Sequence, residues 1–161
     1  VRRMRQGKKV IVHGDGTSLW TLTHHLDFAV GLVGLLGNPH ALGEVFHITG
    51  DEVQTWNQIF GAVSHAAGTQ ADLLHLPSSL IAAHDPAWGA GLLGDKAHSM
   101  VFDNSKIKRA VPEFRVVIPF FQGAQEIMAW YDADPARQVV NEALDQTMDA
   151  LVAAYGRALP L

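Results

Sequence analysis

The chain has 161 residues, 48% of them hydrophobic and 17% charged, with a formal net charge of −4. That is one domain, or one and a small appendage, with enough apolar residue to bury a core, and the acidic balance argues against a nucleic-acid partner, which ordinarily shows a basic stripe. The absence of cysteine excludes disulfides, thiolate zinc sites and cysteine nucleophiles. The apolar run 26–36 is too short to cross a bilayer and holds Asp27, and no signal-peptide pattern is present, so a soluble cytoplasmic protein without membrane contact is expected.

Five of the twelve cations fall in the first nine residues: Arg2, Arg3, Arg5, Lys8 and Lys9. They read as a solvated helix end, because cations favour a helix C-terminus and Gly7 is a good stop. A phosphate-binding arm is the alternative. The segment reads as the last turn of a helix that began earlier, so the chain is expected to be cut from a longer protein.

Residues 10–51 form the organising unit, a strand, helix and second strand. Val10, Ile11 and Val12 stiffen a strand over 9–13. Gly14, Asp15 and Gly16 make a turn, and 18–23 a polar and aromatic connection. Thr23 is placed to cap a helix running to about Gly37, with Leu26, Ala29, Val30, Val33 and Leu36 as its apolar stripe. Asp27, Gly31 and Gly34 form a second stripe. Each interior glycine costs about 1 kcal/mol against alanine, so the pair predicts close approach of another backbone.

A loop around Asn38, Pro39 and Gly43 leads to a strand over 44–49, with Phe46 and Ile48 on one face and Val45 and His47 on the other. Thr55 and Gln58 make a capping box for a helix to about Ala67, ended by Gly68. A short strand over 72–76 is closed by Pro77. Residues 78–98 break into short helical pieces, 99–102 suggests a strand, and 103–111 a small helix before Pro112. Pro119 opens a helix with Phe120, Ala124, Ile127, Met128 and Tyr131 on one side. Pro135 opens the last helix, with Val140, Leu144, Met148, Leu151 and Tyr155 inward and Asn141, Glu142, Asp145 and Asp149 outward. The class is therefore α/β, few strands with several packed helices.

The stretch from Gly14 to Ala29 resembles the C-terminal half of extended short-chain dehydrogenases, the NAD-dependent epimerase/dehydratase family. His24, Asp27 and Ala29 match a helix-opening motif that follows a Gly-Asp-Gly turn in that family. Residues 43–50, the helix from Thr55, and Asp103, Asn104, Ser105 and Lys106 followed by Pro112 match later pieces in order. The resemblance covers most of residues 1–135. It implies the C-terminal part of a Rossmann-type fold and an NAD- or NADP-dependent epimerase, dehydratase or reductase as the parent.

Two departures qualify that implication. The glycine-rich nucleotide turn and the Tyr-x-x-x-Lys pair of the family are both missing; Tyr131 and Tyr155 have no lysine four residues on. Residues 1–161 are therefore expected to be a single substrate-binding portion without the N-terminal nucleotide-binding portion. No NAD or NADP is expected to bind this chain alone, and no catalytic residue is assigned to it. The partners implied are a small-molecule substrate, the missing N-terminal portion and a second copy in a homodimer. A non-catalytic binding or interaction module that kept the fold is the alternative. The second departure is Trp20, which stands where nucleotide-sugar enzymes commonly carry an arginine for the phosphates.

Ligands of open α/β sheets sit beyond the carboxyl ends of the strands, here 14–23 and 50–52. The substrate-binding residues expected are Trp20, Thr21, Thr23, His24 and Asp27. A structural role competes for the last two: an acidic group in a helix's first turn binds amides, with a histidine packed beside it. Segment 14–23 carries one large apolar face and no cation beyond His24, so a small or partly apolar substrate is expected, not a nucleotide sugar. The nine histidines show no His-x-x-x-His pattern, so no metal is expected. No serine lies in a nucleophile elbow.

Overall fold

The computed structural model describes residues 1–158. The described helices are α1 (Arg2–Arg5), α2 (His25–Leu35), α3 (Trp56–Ala66), α4 (Ser78–His84), α5 (Pro86–Gly91), α6 (Ser105–Ala110), α7 (Phe120–Asp132) and α8 (Glu142–Ala158). The strands are β1 (Val10–His13), β2 (Leu19–Thr21), β3 (Val53–Thr55) and β4 (Leu73–Leu76). The chain is α/β, as its pattern predicts.

β1 is stiff and apolar, and all four of its residues are buried. It pairs in parallel with β4, Val10 opposite Leu73 and His13 opposite Leu76. A parallel pair needs cover on its faces. Ile81 of α4 and Leu151 of α8 supply it, packing with Ile11, Leu74, Leu76 and Leu92. β2 and β3 form a separate antiparallel pair with Trp20 opposite Gln54. At three residues each they leave no alternation to read, which is why 18–23 reads only as a connection.

Several expectations change. No strand forms over 44–49, and no backbone N–H or C=O of residues 45–48 is hydrogen-bonded within the described residues. The alternation itself is present: Phe46 and Ile48 pack on Ile107, Val111 and Phe114, while Val45 is 80% exposed. Residues 99–102 form no strand either; Met100 N–H makes a single bond to Leu19 O (2.9 Å) alongside β2. The cap of α2 is His24, not Thr23: its ring Nδ1 accepts from Leu26 N–H (3.3 Å).

The stripe Leu26, Val30, Val33 and Leu36 is on the outside, with Leu36 69% exposed. The other stripe faces the protein. A Cβ on Gly31 would sit 2.6 Å from Ile48 Cγ2, and one on Gly34 would collide with the Val111 side chain. The glycines thus admit neighbouring side chains, not a backbone.

Pro135 opens only a 3₁₀ turn, Pro135–Arg137. The final helix starts later, where Asn141 Oδ1 accepts from Leu144 N–H (3.0 Å). Its acidic side chains do not simply face solvent. Glu142 pairs with Arg2, Asp145 and Asp149 with Arg3, and Asp149 with Lys8, while Arg5 pairs with Asp132 and Lys9 with Asp72. All five N-terminal cations are therefore engaged within the chain, which removes the phosphate-arm alternative. The Arg3–Asp145 pair is the enclosed one, at side-chain exposures of 9% and 12%; the other pairs, which are exposed, contribute at most about 1 kcal/mol each.

The start of α3 is as its sequence predicts. Gln58 N–H donates to Thr55 Oγ1 (3.2 Å) and Thr55 N–H to Gln58 Oε1 (2.8 Å), a reciprocal box. Thr55→Ala is expected to lower unfolding free energy by about 0.5–2 kcal/mol, measured by urea denaturation. A midpoint within error of the parent would show that Thr55 is not the cap.

Candidate functional site

β1 and β4 run parallel, so their carboxyl ends, His13 and Leu76, lie side by side. A polar cavity of about 270 Å³ opens there, lined by His13, Asp15, Thr17, Ser18, Ser78 and Ser99, among others. Gly14 N–H continues the ladder to Leu76 O (2.7 Å) before the turn breaks away. The turn depends on Gly16: its φ is +72°, and a Cβ there would collide with the Asn57 carboxamide. Asn57 closes the loop onto α3, donating from Nδ2 to Asp15 O (3.0 Å) and from its backbone to Gly16 O (3.0 Å). Asp15 Oδ1 accepts from Thr17 N–H and Oγ1–H, at 2.9 and 2.6 Å, and these bonds hold its carboxyl below the usual range.

His13 lies at the floor, 7% exposed. Its Nε2 is 2.9 Å from Lys96 O. A carbonyl only accepts, so Nε2 carries the hydrogen. Ser18 Oγ donates to the same carbonyl (2.9 Å). The ring meets Trp56 edge-on, with centroids 5.1 Å apart. Burial pushes the imidazole below its ordinary value of 6.5. The Lys96 charge acts in the same direction, and the Lys96 carbonyl opposes it.

Trp20 extends this cluster: its ring centroid is 5.6 Å from that of Trp56, and Lys96 Nζ lies 5.6 Å from the Trp20 centroid. Lys96 is also paired with Asp95 at 3.1 Å. Thr21 Oγ1 donates to Met100 O (3.3 Å), tying the next residue of β2 to the 99–102 segment.

The other expected site residues act elsewhere. Thr23 Oγ1 accepts from Gly50 N–H (2.8 Å). His24 uses both ring nitrogens, capping α2 and donating to Glu126 Oε2 (2.9 Å). Asp27 is 2% exposed and accepts from Val117 N–H (3.2 Å) and Ile118 N–H (3.0 Å). Its amides come from a distant segment, not from its own helix turn. His24 and Thr23 border a second cavity of about 260 Å³ against Pro119, Phe120 and Gly123. The structure thus joins Trp20 to the aromatic cluster, ties Thr21 to the 99–102 segment, and sets Thr23, His24 and Asp27 at the junction of α2 with the start of α7.

His13, Lys96 and Ser99 have no counterpart among the residues expected from sequence. His13 carried a usable signal, a polar residue ending an apolar strand just before a turn. Lys96 carried none, being brought in from 76 positions beyond Trp20 by tertiary packing. Among the described residues there is no cluster of three or more potential metal ligands, and no helix is long and apolar enough to cross a membrane.

No model of a known protein family matches the sequence, and no curated protein matches it. Solved structures do. UDP-glucuronic acid 4-epimerase from Bacillus cereus in complex with NAD superposes with a TM-score of 0.60 at 20% identity, over 84% of this chain and 39% of that one. The same enzyme with UDP-glucuronic acid and NAD gives 0.64 at 20% identity, over 82% and 38%. dTDP-glucose 4,6-dehydratase from Bacillus anthracis in complex with NAD gives 0.62 at 20% identity, over 84% and 38%. The fold matches the C-terminal portion of these Rossmann-type enzymes, and the chain spans about two fifths of their length.

The His13 environment has a pH signature. The unfolded chain takes up a proton near the ordinary value of about 6.5, the folded chain only at lower pH. Stability is therefore lost as pH falls from about 6.5 toward the folded-state value, and levels off below it. His13→Phe removes this component. Denaturation midpoints between about pH 7.5 and 4.5 should fall more steeply for the parent chain than for the variant; parallel curves would contradict the neutral, buried histidine.

Proposed function

We propose that residues 1–161 are the substrate-binding portion of a longer NAD- or NADP-dependent epimerase, dehydratase or reductase, with the nucleotide-binding portion supplied by residues outside this chain. The observation that carries this reading is an unfinished α/β layer. Residues 45–48 alternate like a strand and have α2 packed beside them through Gly31 and Ile48. Among the described residues their backbone finds no partner on either edge. The outer face of α2 is apolar along its length, with Leu26, Val33 and Leu36 all more than half exposed. An unpaired strand edge is a template for another strand, and an apolar face of this extent marks an interaction surface. A neighbouring sheet and its cover satisfy both.

The described residues do not fit a dinucleotide. They contain no glycine-rich turn leading from a strand into a helix N-terminus, the arrangement that receives a pyrophosphate. The cavity at the carboxyl ends, at about 270 Å³, is smaller than typical small-molecule pockets. Hydride and proton chemistry is therefore assigned to the other portion. This chain's part is to shape and hold the substrate.

The substrate we propose is small and partly apolar rather than a nucleotide sugar. Trp20 offers an indole face, and the cation brought to it, Lys96, is already paired with Asp95. A diphosphate would meet one half-neutralised ammonium and the acidic Asp15 loop. The test is a turnover screen of the complete protein, comparing nucleotide sugars with uncharged hydroxy and carbonyl compounds. Uncharged compounds should be preferred, and Trp20→Ala should lower their kcat/KM about tenfold. Preference for a nucleotide sugar, unaffected by Trp20→Ala, would sink the substrate assignment. The 161-residue chain alone should give no calorimetric signal with NAD(H) or NADP(H).

A further inference from the structure

The polar cavity holds one strong hydrogen-bonding group with unused capacity. His13 lines it, its Nε2–H is committed to Lys96 O, and that carbonyl is pinned by Ser18 as well. Trp56 fixes the ring plane. The tautomer is thereby set, leaving Nδ1 as a bare lone pair. Nδ1 has no partner among the described residues, and it is not one of the sealed, unpartnered side-chain atoms, which are Gln54 Oε1 and Trp56 Nε1. A nitrogen held in this way awaits a donor from outside the chain.

The walls define that donor. Thr17, Ser18, Ser78 and Ser99 contribute hydroxyls, Asp15 contributes a carboxylate already occupied by Thr17, and among the described residues no lysine or arginine lines the cavity. An anion would find no counter-charge there. A neutral molecule with several hydroxyl groups would find acceptors and donors on every side.

We propose that His13 is a binding residue whose Nδ1 accepts a hydrogen bond from a hydroxyl of a small, uncharged, hydroxyl-bearing ligand seated at the carboxyl ends of β1 and β4. Calling that ligand the substrate rests on the proposed function above. The binding itself does not. Lys96 and Ser18 act as positioning residues, through their hold on the ring. The titratable and charged groups around the ring are Lys96, Asp15 and, beyond Lys96, Asp95.

The experiment follows the imidazole nitrogens of the ¹⁵N-labelled 161-residue chain by NMR at pH 7, with meso-erythritol as probe and its tetra-O-methyl ether as control. The ether keeps the acceptors and lacks the donors. His13 should show a protonated Nε2 and an unprotonated Nδ1, and erythritol should shift the Nδ1 resonance saturably while the ether does not. His13→Gln, which can donate to Lys96 O and still accept, should bind within about threefold of the parent; His13→Phe should lose about three- to tenfold or more. A protonated Nδ1, an Nδ1 resonance unmoved by erythritol, or an equal response to the ether would overturn the proposal. If His13→Phe does not fold, the parent spectra decide alone. Turnover by the complete protein is read separately, so either result can fail without the other.

Discussion

The side chain of Asn104 stands where a neighbouring strand would. It is 5% exposed, donates from Nδ2 to Thr49 O (2.8 Å) and Asp51 Oδ1 (3.0 Å), and accepts at Oδ1 from Thr49 Oγ1–H (3.0 Å). Buried backbone groups need partners, and at the end of the 44–49 segment one carboxamide supplies them. Asp27 does the same for Val117 and Ile118, and Thr23 for Gly50. Each such side chain protects amides that would cost about 1–3 kcal/mol apiece if left buried and unpaired. The two short sheets cannot hold this half of the chain together by ladders. The Ile107–Val111–Phe114 cluster and these three polar side chains do it, and the reach of Asn104 ends where, among the described residues, the unpaired backbone of 45–48 begins.

That division explains what could be read from the sequence. β1, β4, α3 and α7 were legible because each is specified locally, β1 by its β-branched run, β4 by an apolar run closed by Pro77, α3 by the Thr55–Gln58 box and α7 by the proline ahead of Phe120. α2 was legible as a helix and illegible in orientation. Periodicity identifies its two faces but not which one finds a partner, and here the glycine face turns inward because Ile48 and Val111 fit against it, burying Asp27 and Gly31. The 44–49 segment shows the same limit: its alternation was visible, whereas pairing is a property of another strand. The capping of α2 by His24 rather than Thr23 was decided by Gly50, which takes the Thr23 hydroxyl.

The candidate site divides the same way. Trp20 was legible from its place after the turn, and the structure gives it company no spacing rule could supply, Trp56 from α3 and Lys96 from the end of the π-helix Leu92–Lys96. His13 is buried, its ring held against the Lys96 carbonyl and edge-on to Trp56, and burial pushes its imidazole below the ordinary value. At 20% identity the neighbouring structures share a fold with this chain. A shared fold leaves binding open, and function is set by side chains and their chemistry.

The backbone of residues 45–48 is the open edge of the fold, and amide hydrogen exchange reads it directly. In the 161-residue chain these amides should exchange at nearly the rate of an unstructured peptide, and in the complete protein they should be protected together with the outer face of α2. The same slow exchange in both forms would mean that the segment is already paired, and the same fast exchange in both would mean that no sheet ever joins it. Either result would contradict the reading of this chain as one portion of a larger α/β enzyme.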